Sequence, residues 1–335
     1  MERSMACMNS EQDFHDWLPI RVWQVNGQWR VDWCWFGDKR LTQPFFRDDV
    51  EKALRLPFNQ AFRRETGLDA LRQWQVDSPG LAPTALIFHA SRCGSTLMAQ
   101  MLAALPDSIV LSEPPPLDSL LRAQRSDPEL VGHLQDHVAA LLSAYGQPRQ
   151  GNEQRLFVKL DTWNLFEAPI LAKLYPDVPC IFLYRDPLEI AVSQARQPGM
   201  QCVPGLLGAS GLDGPTDADE KLSPVDFISR VIGRTLEAGL ELCFQHGGVP
   251  VNYCELPDAL WERLAPLFET SESDAAVMQR VANFDAKRPA MNFNADSEHK
   301  RRSASPELRA SIEHWTTEPY EKLEALRRSN NPQAK

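Results

Sequence analysis

The chain has 335 residues, of which 43% are hydrophobic, and this is enough for one large α/β domain with an additional unit. Its formal net charge of −10 argues against a nucleic-acid binder or a receptor for long polyanions. Seven scattered cysteines favour a reducing compartment, and no window has the apolar character of a signal core or a membrane span. We therefore expect a cytoplasmic protein with neither nucleic acid nor membrane as a partner.

Residues 1–80 differ from the rest of the chain and are predicted to form an N-terminal α+β extension. This segment holds six of the nine tryptophans: Trp17, Trp23, Trp29, Trp33, Trp35 and Trp74. Apolar and polar residues alternate on both sides of Asn26-Gly27, which predicts a β-hairpin, and a helical stretch from Val50 to Gln73 follows. The extension is either a packing appendage or homodimer contact, or a module that binds a substrate or partner.

The most informative segment runs from Thr84 to Met101. Residues 85–88 are a continuous apolar run, which predicts a strand covered on both faces, and helical spacing of apolar residues begins after Gly94. A helix that begins directly after such a strand presents unpaired N–H groups and a positive dipole end to phosphate or sulfate. The segment therefore predicts an anion-binding loop, with an ordinary turn capped by Ser91 or Ser95 as the alternative.

The identity of the residue after the glycine separates classes of anion loop. A nucleoside-triphosphatase loop would carry lysine directly after the glycine, but this chain has Ser95 there. Its cation is Arg92, two residues before Gly94. The sequence also contains no GxGxxG, so a dinucleotide-binding fold lacks its fingerprint.

Three further segments place charged residues directly after apolar runs. Residues 180–193 read as a strand, a charged turn and a helix, and Arg185 could meet Ser193, two helical turns on, at a second anion. Residues 155–161 form a short strand that ends in Lys159 and Asp161. In the third segment, VLSEPP, Glu113 stands just before a proline-rich bend.

The remaining elements alternate between strands and helices, which predicts a parallel sheet with ligands at the carboxyl ends of its strands. Helices are predicted over 117–146, 163–174, 187–195 and 224–247, and strands over 155–160, 180–184 and 249–254. Residues 197–223 are rich in Gly, Pro and Asp, which predicts a mobile loop that closes over a ligand.

Together these segments resemble the sulfotransferases that use 3′-phosphoadenosine 5′-phosphosulfate (PAPS), and the carbohydrate and bacterial branches above all. In that family a loop with a basic residue, a glycine and two hydroxyl residues binds the 5′-phosphosulfate, and Arg92-Cys93-Gly94-Ser95-Thr96 matches it. A later Arg-Asp-Pro…Ser element binds the 3′-phosphate, and Arg185-Asp186-Pro187 and Ser193 match its spacing. Glu113-Pro114 and the late strand ending in Tyr253-Cys254-Glu255-Leu256 are weaker matches. The resemblance covers roughly residues 83–325.

The resemblance implies a P-loop-type three-layer fold over residues 81–330, with PAPS as the donor, PAP as its product and no metal. The residues it implies for cofactor binding are Ser91, Arg92, Cys93, Gly94, Ser95, Thr96, Arg185, Ser193, Lys300 and Arg301. Arg92 and Lys159 would neutralise the leaving phosphate. Glu113 would take the acceptor proton, with Asp161 as its main rival.

Two departures from the family bear on this assignment. The cytosolic branch has a Lys-Thr-His element whose histidine is the base, whereas this chain has Lys159-Leu160-Asp161. The C-terminal Arg-Lys-Gly triplet is absent, and Lys300-Arg301-Arg302-Ser303 stands in its place. His89 and His299 are interpreted as satisfied or solvent-facing rather than catalytic.

The sequence thus predicts a sulfotransferase that moves a sulfuryl group to a hydroxyl or amine of a small-molecule, sugar or peptide acceptor. A small-molecule kinase of related fold is the first alternative, and Ser95 counts against it. A non-catalytic nucleotide-binding or scaffold protein, with the tryptophan-rich extension as its working surface, is the second.

Overall fold

The structure is a computed structural model that describes residues 13–212, 222–292 and 297–330. It begins with a three-stranded antiparallel sheet in the order β1-β2-β3. The strands are β1 (Trp17–Val25), β2 (Gln28–Trp35) and β3 (Arg64–Gly67). The two residues between β1 and β2 both have positive φ, 49° at Asn26 and 75° at Gly27, as a tight hairpin turn requires. The predicted hairpin is confirmed.

The prediction of a continuous helical stretch from Val50 to Gln73 is wrong over residues 55–68. Three short helices and a strand replace it: α1 (Phe46–Leu54), α2 (Pro57–Ala61), β3 and α3 (Asp69–Asp77). Pro57 begins a new helix because it has no N–H to continue the preceding one. Residues 64–67 then pair with residues 30–33 of β2, so sheet hydrogen bonds replace helical ones.

A second sheet of five parallel strands forms the centre of the molecule, in the order β5-β6-β4-β7-β8. Its strands are β4 (Ala85–His89), β5 (Ser108–Ser112), β6 (Arg155–Lys159), β7 (Cys180–Tyr184) and β8 (Val249–Asn252). Every residue of the first four is buried, as their apolar runs predicted. Because all five strands run the same way, their carboxyl ends lie along one edge of the sheet.

Helices follow these strands in the alternation that the sequence predicts. They are α4 (Ser95–Ala103), α5 (Pro115–Ala123), α6 (Pro128–Val131), α7 (Leu134–Tyr145), α8 (Ala168–Leu174), α9 (Pro187–Arg196), α10 (Pro224–His246), α11 (Ala265–Phe268), α12 (Glu272–Ala282), α13 (Ser297–Ser303) and α14 (Pro306–Asn330). A small hairpin, β9 (Phe284–Asp285) and β10 (Arg288–Asn292), precedes α13. Four 3-10 turns complete the described elements: Thr162–Glu167, Met200–Cys202, Tyr253–Glu255 and Asp258–Leu260.

The central sheet separates two hydrophobic cores. Alternate residues of β4 point to opposite cores: Leu86 and Phe88 pack with α5, α7 and α10, whereas Ala85 and Ile87 pack with α4, α11 and α12. Burial of each such Leu or Phe side chain stabilises the fold by roughly 1.5–3 kcal/mol. The predicted three-layer α/β fold with a parallel sheet is therefore confirmed.

Residues of the N-terminal segment share the first of these cores. Phe14, Trp33 and Trp74 belong to the same buried cluster as Leu86. The Tyr145 hydroxyl of α7 donates to the Pro19 carbonyl of β1 at 2.8 Å. A domain boundary at residue 80 stays a prediction.

The loop predicted over 197–223 lies only partly within the described residues, since 213–221 fall outside them. Its described part contains the 3-10 turn at Met200–Cys202. Within the described parts of the chain, no helix combines the length and apolar character needed to cross a membrane.

Candidate active site

The loop between β4 and α4 has the backbone of an anion cradle. Ser91, Arg92 and Gly94 have positive φ values of 60°, 51° and 90°, and α4 begins at Ser95. The first-turn N–H groups of α4, around the buried Ser95 and Thr96, have no partner within the helix. A positive dipole end and several N–H groups therefore meet at the carboxyl end of the central strand.

Tyr253 and Leu256 pack so closely against Gly94 that only glycine fits at this position. A Cβ here would lie 2.8 Å from Tyr253 Cδ2 and 2.9 Å from Leu256 Cδ1. The segment after β8 thus lies directly against the loop.

Side chains of the loop tie it to α9 and the residue that follows. Ser91 Oγ accepts from Gln194 Nε2 at 3.1 Å, and Arg92 Nη2 donates to the Gln197 carbonyl at 2.7 Å. Cys93 is fully buried, and this burial raises the pKa of its thiol to about 12. Cys93 is therefore a small filler of the loop rather than a reactive thiol.

An ion pair between Lys159 and Glu113 lies at the ends of neighbouring strands β6 and β5. Lys159 Nζ is 2.6 Å from Glu113 Oε1 and donates to Ser112 Oγ at 3.2 Å, and the lysine side chain is 0% exposed. Burial opposes ionisation of Glu113, but the Lys159 charge and the contact with His89 outweigh it and hold the pKa of the carboxyl well below its usual range. Glu113 is thus an ionised carboxylate at neutral pH.

His89, the last residue of β4, completes this cluster. Its Nδ1 accepts from the Ser91 N–H at 3.0 Å and lies 3.2 Å from Thr162 Oγ1. Because a backbone N–H can only donate, Nδ1 carries no proton in the neutral ring, and the proton is on Nε2. That Nε2 lies 3.3 Å from Glu113 Oε1. Burial lowers the pKa of His89, so it is a neutral ring beside the carboxylate.

Asp161, the rival base, has the opposite electrostatics. Burial, followed by the charges of Glu113 and Asp118, raises the pKa of the Asp161 carboxyl well above its ordinary value. Asp161 is therefore more readily protonated than Glu113, and the electrostatics favour Glu113 over Asp161 as a base.

Arg185 leaves the end of β7 in a second cationic cluster. Its Nε donates to Glu189 Oε2 at 2.5 Å, and its Nη2 donates to Ser297 Oγ at 2.9 Å. Its guanidinium carbon lies 4.1 Å from the centre of the Tyr253 ring. Tyr253 thus lies against both Arg185 and Gly94, which places the Arg185 cluster beside the anion loop.

The other predicted residues of this second cluster also gather around Glu189. Ser193 Oγ donates to the Glu189 carbonyl at 2.9 Å. Arg301, on α13, contacts the Glu189 carboxylate at 2.8 Å and Asp186 at 3.2 Å. Lys300, its neighbour, is buried. The structure therefore brings Lys300 and Arg301 of the C-terminal basic cluster close to Arg185, and their binding of a cofactor stays a prediction.

His89 was interpreted as satisfied or solvent-facing rather than catalytic, and the structure shows it buried, with Nδ1 hydrogen-bonded and Nε2 3.3 Å from Glu113 Oε1. Sequence reasoning did not place it beside Glu113. Its position at the carboxyl end of the strand before the loop was the available signal. Glu189 was not singled out, although its position four residues after Arg185 allows an ion pair across one helical turn. Within the described ranges, no group of three or more His, Cys, Asp or Glu side chains could hold a metal ion.

Fold and site together define an α/β protein with a five-stranded parallel sheet, an anion loop, a buried lysine–carboxylate pair and a neighbouring arginine cluster. The family model for sulfotransferases matches residues 83–201, which contain the anion loop, both members of the pair and Arg185. This match supports an assignment to the sulfotransferase family and a sulfotransferase enzyme.

Solved structures similar to this chain include three bacterial or biosynthetic sulfotransferases, each 15% identical and each aligned with 74% of this chain. They are the sulfotransferase STF9 from Mycobacterium avium (80% of that chain, TM-score 0.40), the sulfotransferase domain from the curacin biosynthetic pathway (98%, 0.43) and a sulfotransferase from Alicyclobacillus acidocaldarius (96%, 0.39). No match is found among curated protein sequences.

Proposed function

We propose that this protein transfers a sulfuryl group from PAPS to a hydroxyl, or less often an amine, of a small-molecule, sugar or peptide acceptor. The observation that carries the proposal is the Glu113–Lys159 pair, 2.6 Å apart, beside a helix-terminal anion loop. Sulfuryl transfer requires positioned donors and cations around spreading negative charge, together with a base for the acceptor proton. The site supplies each of these from this chain alone.

Glu113 is the proposed base. The acceptor oxygen forms a bond to sulfur, the bond from sulfur to the bridging oxygen of the phosphosulfate breaks, the acceptor proton goes to Glu113, and PAP leaves. His89 Nε2 lies against Glu113 Oε1 and fixes the direction of the carboxylate. His89 is therefore a positioning residue in this proposal.

Lys159 links the base to the leaving group. While Lys159 is paired with Glu113, the carboxylate is a weak base, because the ammonium favours its ionised form. When the Lys159 ammonium pairs with a bound phosphate instead, Glu113 loses its strongest counter-charge. The pKa of Glu113 then rises toward a value better suited to a general base. Binding of the donor would thus activate the base.

The N–H groups of residues 92–96, with the Ser95 and Thr96 hydroxyls and Ser91, are proposed to hold the 5′-phosphate. Arg92 adds a cation from the same loop, and Cys93 and Gly94 permit its tight backbone path.

The 3′-phosphate is proposed to bind at Arg185, which presents a planar fork of donors. Arg301, Lys300 and Ser193 would complete this subsite. Since Glu189 accepts from both Arg185 and Arg301, phosphate must share or replace these contacts with a carboxylate.

A direct test is release of PAP from PAPS in the presence of a panel of alcohols, phenols, sugars and tyrosine peptides, followed by chromatography. The wild-type protein is expected to release PAP with at least one acceptor class. Glu113→Gln is expected to lose about 10²–10⁴-fold in turnover while it keeps its affinity for PAP. If Glu113→Gln stays fully active and Asp161→Asn does not, the base is Asp161 and the proposed role of Glu113 is wrong.

The kinase alternative makes a different prediction. A kinase would bind ATP with magnesium and would need a lysine that grips the outer phosphates and carboxylates that hold the metal. Ser95 stands where that lysine would be. The non-catalytic alternative predicts binding of PAP without release of PAP from PAPS under any condition of the panel.

A further inference from the structure

Phe45, from the N-terminal segment, lies beside the Glu113–Lys159 pair. The centre of its ring is 5.1 Å from Lys159 Nζ and 5.6 Å from Lys287 Nζ. The segment is held there because Ser112 Oγ, which accepts from Lys159, donates to the Pro44 carbonyl at 2.8 Å. Residues outside the family-matched range therefore reach the transfer site.

Lys287 is carried by the short turn between β9 and β10. Its backbone N–H donates to Asp285 Oδ1 at 3.0 Å, which fixes the turn, and its side chain is exposed. Among the residues that the structure describes, none forms an ion pair with Lys287 Nζ. Partial burial of its ammonium, and then the charges of Arg92 and Lys159, lower the pKa of Lys287, while the charges of Glu113 and Asp285 oppose this shift. Lys287 thus lies within electrostatic reach of both the anion loop and the ion pair.

Positive charges outnumber negative ones around Lys287 and the Glu113–Lys159 pair. Arg92, Lys159 and Lys287 are cations, whereas the carboxylates that act on Lys287 are Glu113 and Asp285. Like charges at this spacing repel one another unless an anion joins them. Glu113 compensates Lys159 directly and Asp285 lies beside Lys287, which leaves a net positive charge for a bound anion.

We propose that Lys287, positioned by the ring of Phe45, is a further residue of the transfer site and contacts the sulfuryl group of bound PAPS. This inference rests on the proposed function. Arg92 and the α4 terminus approach from the loop that is proposed to hold the phosphate, whereas Lys287 is an exposed residue of a separate element, the turn between β9 and β10. The outer end of the phosphosulfate is the part of the donor that such a position reaches. The N-terminal segment thereby becomes part of the active site through Phe45.

The test compares two ligands that differ only in the sulfuryl group. Calorimetric affinities for PAPS and for PAP are measured for the wild-type protein, Lys287→Met, Lys287→Arg and Phe45→Leu. Lys322→Met serves as the matched control, because Lys322 is exposed on α14 and pairs with Glu318 within its own helix. No acceptor is needed for these measurements.

Loss of Lys287 is expected to weaken PAPS about tenfold and to leave PAP unchanged, because a charge-assisted hydrogen bond to the sulfuryl group is lost. Lys287→Arg should restore most of the PAPS affinity, and Phe45→Leu should weaken PAPS about threefold through loss of the cation–ring contacts. Lys322→Met should match the wild-type protein for both ligands.

Three results would overturn the inference. If Lys287→Met leaves both affinities unchanged, Lys287 is outside the site. If it weakens PAP and PAPS equally, the lysine acts on the nucleotide phosphates and its assignment to the sulfuryl group is wrong. If the wild-type protein binds neither ligand, the proposed function fails and the inference fails with it.

Discussion

The replacement Lys159→Met tests the electrostatics of the site through stability as well as function. Methionine fills nearly the same volume, so little cavity results, but Glu113 is left in a largely buried position without its counter-charge. Breaking a buried ion pair by removing one partner costs about 3–5 kcal/mol. Because the Glu113 side chain is 21% exposed, water recovers part of that cost, and we expect about 3 kcal/mol at pH 7.

This loss should depend on pH in a defined direction. In the wild-type protein the lowered pKa of Glu113 adds stability that is fully present above its ordinary value of 4.5 and is lost as the pH falls through the lowered folded value. In Lys159→Met that lowering is gone and burial raises the pKa instead, so the variant gains relative stability when Glu113 takes up a proton. The difference between the two proteins should therefore be largest at pH 7, begin to shrink as the pH falls through the raised pKa of Glu113 in the variant, and shrink further below about pH 4.5, where the wild-type protein loses stability.

Urea unfolding at pH 7, 5.5 and 4, followed by tryptophan fluorescence, measures this difference. Lys173→Met is the matched control, because Lys173 is an exposed lysine in the last turn of α8. Lys173→Met should unfold at the wild-type urea concentration at each pH. If Lys159→Met also unfolds with the wild-type midpoint at every pH, Lys159 does not hold a buried carboxylate and the reasoning is refuted.

Three further changes test separate parts of the site. Arg185→Lys should weaken PAP binding about 10- to 100-fold in calorimetry, because lysine cannot present a planar fork to a phosphate; unchanged affinity would place the 3′-phosphate elsewhere. Gly94→Ala should cost about 1–3 kcal/mol in urea unfolding, since its φ is +90° and the new Cβ would meet Tyr253 at 2.8 Å. Gly151→Ala, at a φ of +82° with open space around it, should cost less, and an equal cost would mean that contact with Tyr253 is unimportant. Iodoacetamide at pH 8 should leave Cys93 unmodified in the native protein, because burial raises the pKa of its thiol to about 12; rapid labelling detected by peptide mass spectrometry would contradict this.

The central fold could be predicted from local sequence because its signals are local. The runs at residues 85–88 and 180–184 are apolar throughout, and strands covered on both faces show this pattern. Asp186 and Pro187 mark the start of α9, and the structure shows the Asp186 carboxylate accepting from the N–H groups of Leu188 and Glu189.

The strand at Arg64–Gly67 could not be predicted in this way. It is short and polar, and it exists because β2 offers a free edge about 30 residues earlier in the chain. Its four residues show neither the hydrophobic period of a strand nor that of a helix. The helical pattern on both sides therefore predicts helix through this segment as well.

The candidate site also combines features that local sequence shows with contacts that only the assembled fold reveals. The loop cation, Arg92, and the hydroxyls of Ser95 and Thr96 stand within five consecutive residues, and the sequence shows them directly. The role of His89 depends on Glu113, which approaches from a strand two positions away across the sheet. The contact of Phe45 with Lys159 likewise joins residues that are far apart in the chain. Side-chain contacts of this kind appear only when the strands are assembled.

Calorimetric titration with PAP, in parallel with ATP and magnesium, tests the central proposal most directly. The proposed sulfotransferase should bind PAP tightly with EDTA present, and Arg185→Ala should abolish most of that affinity. Binding of ATP only with magnesium, or of neither nucleotide, would contradict a PAPS-dependent sulfotransferase.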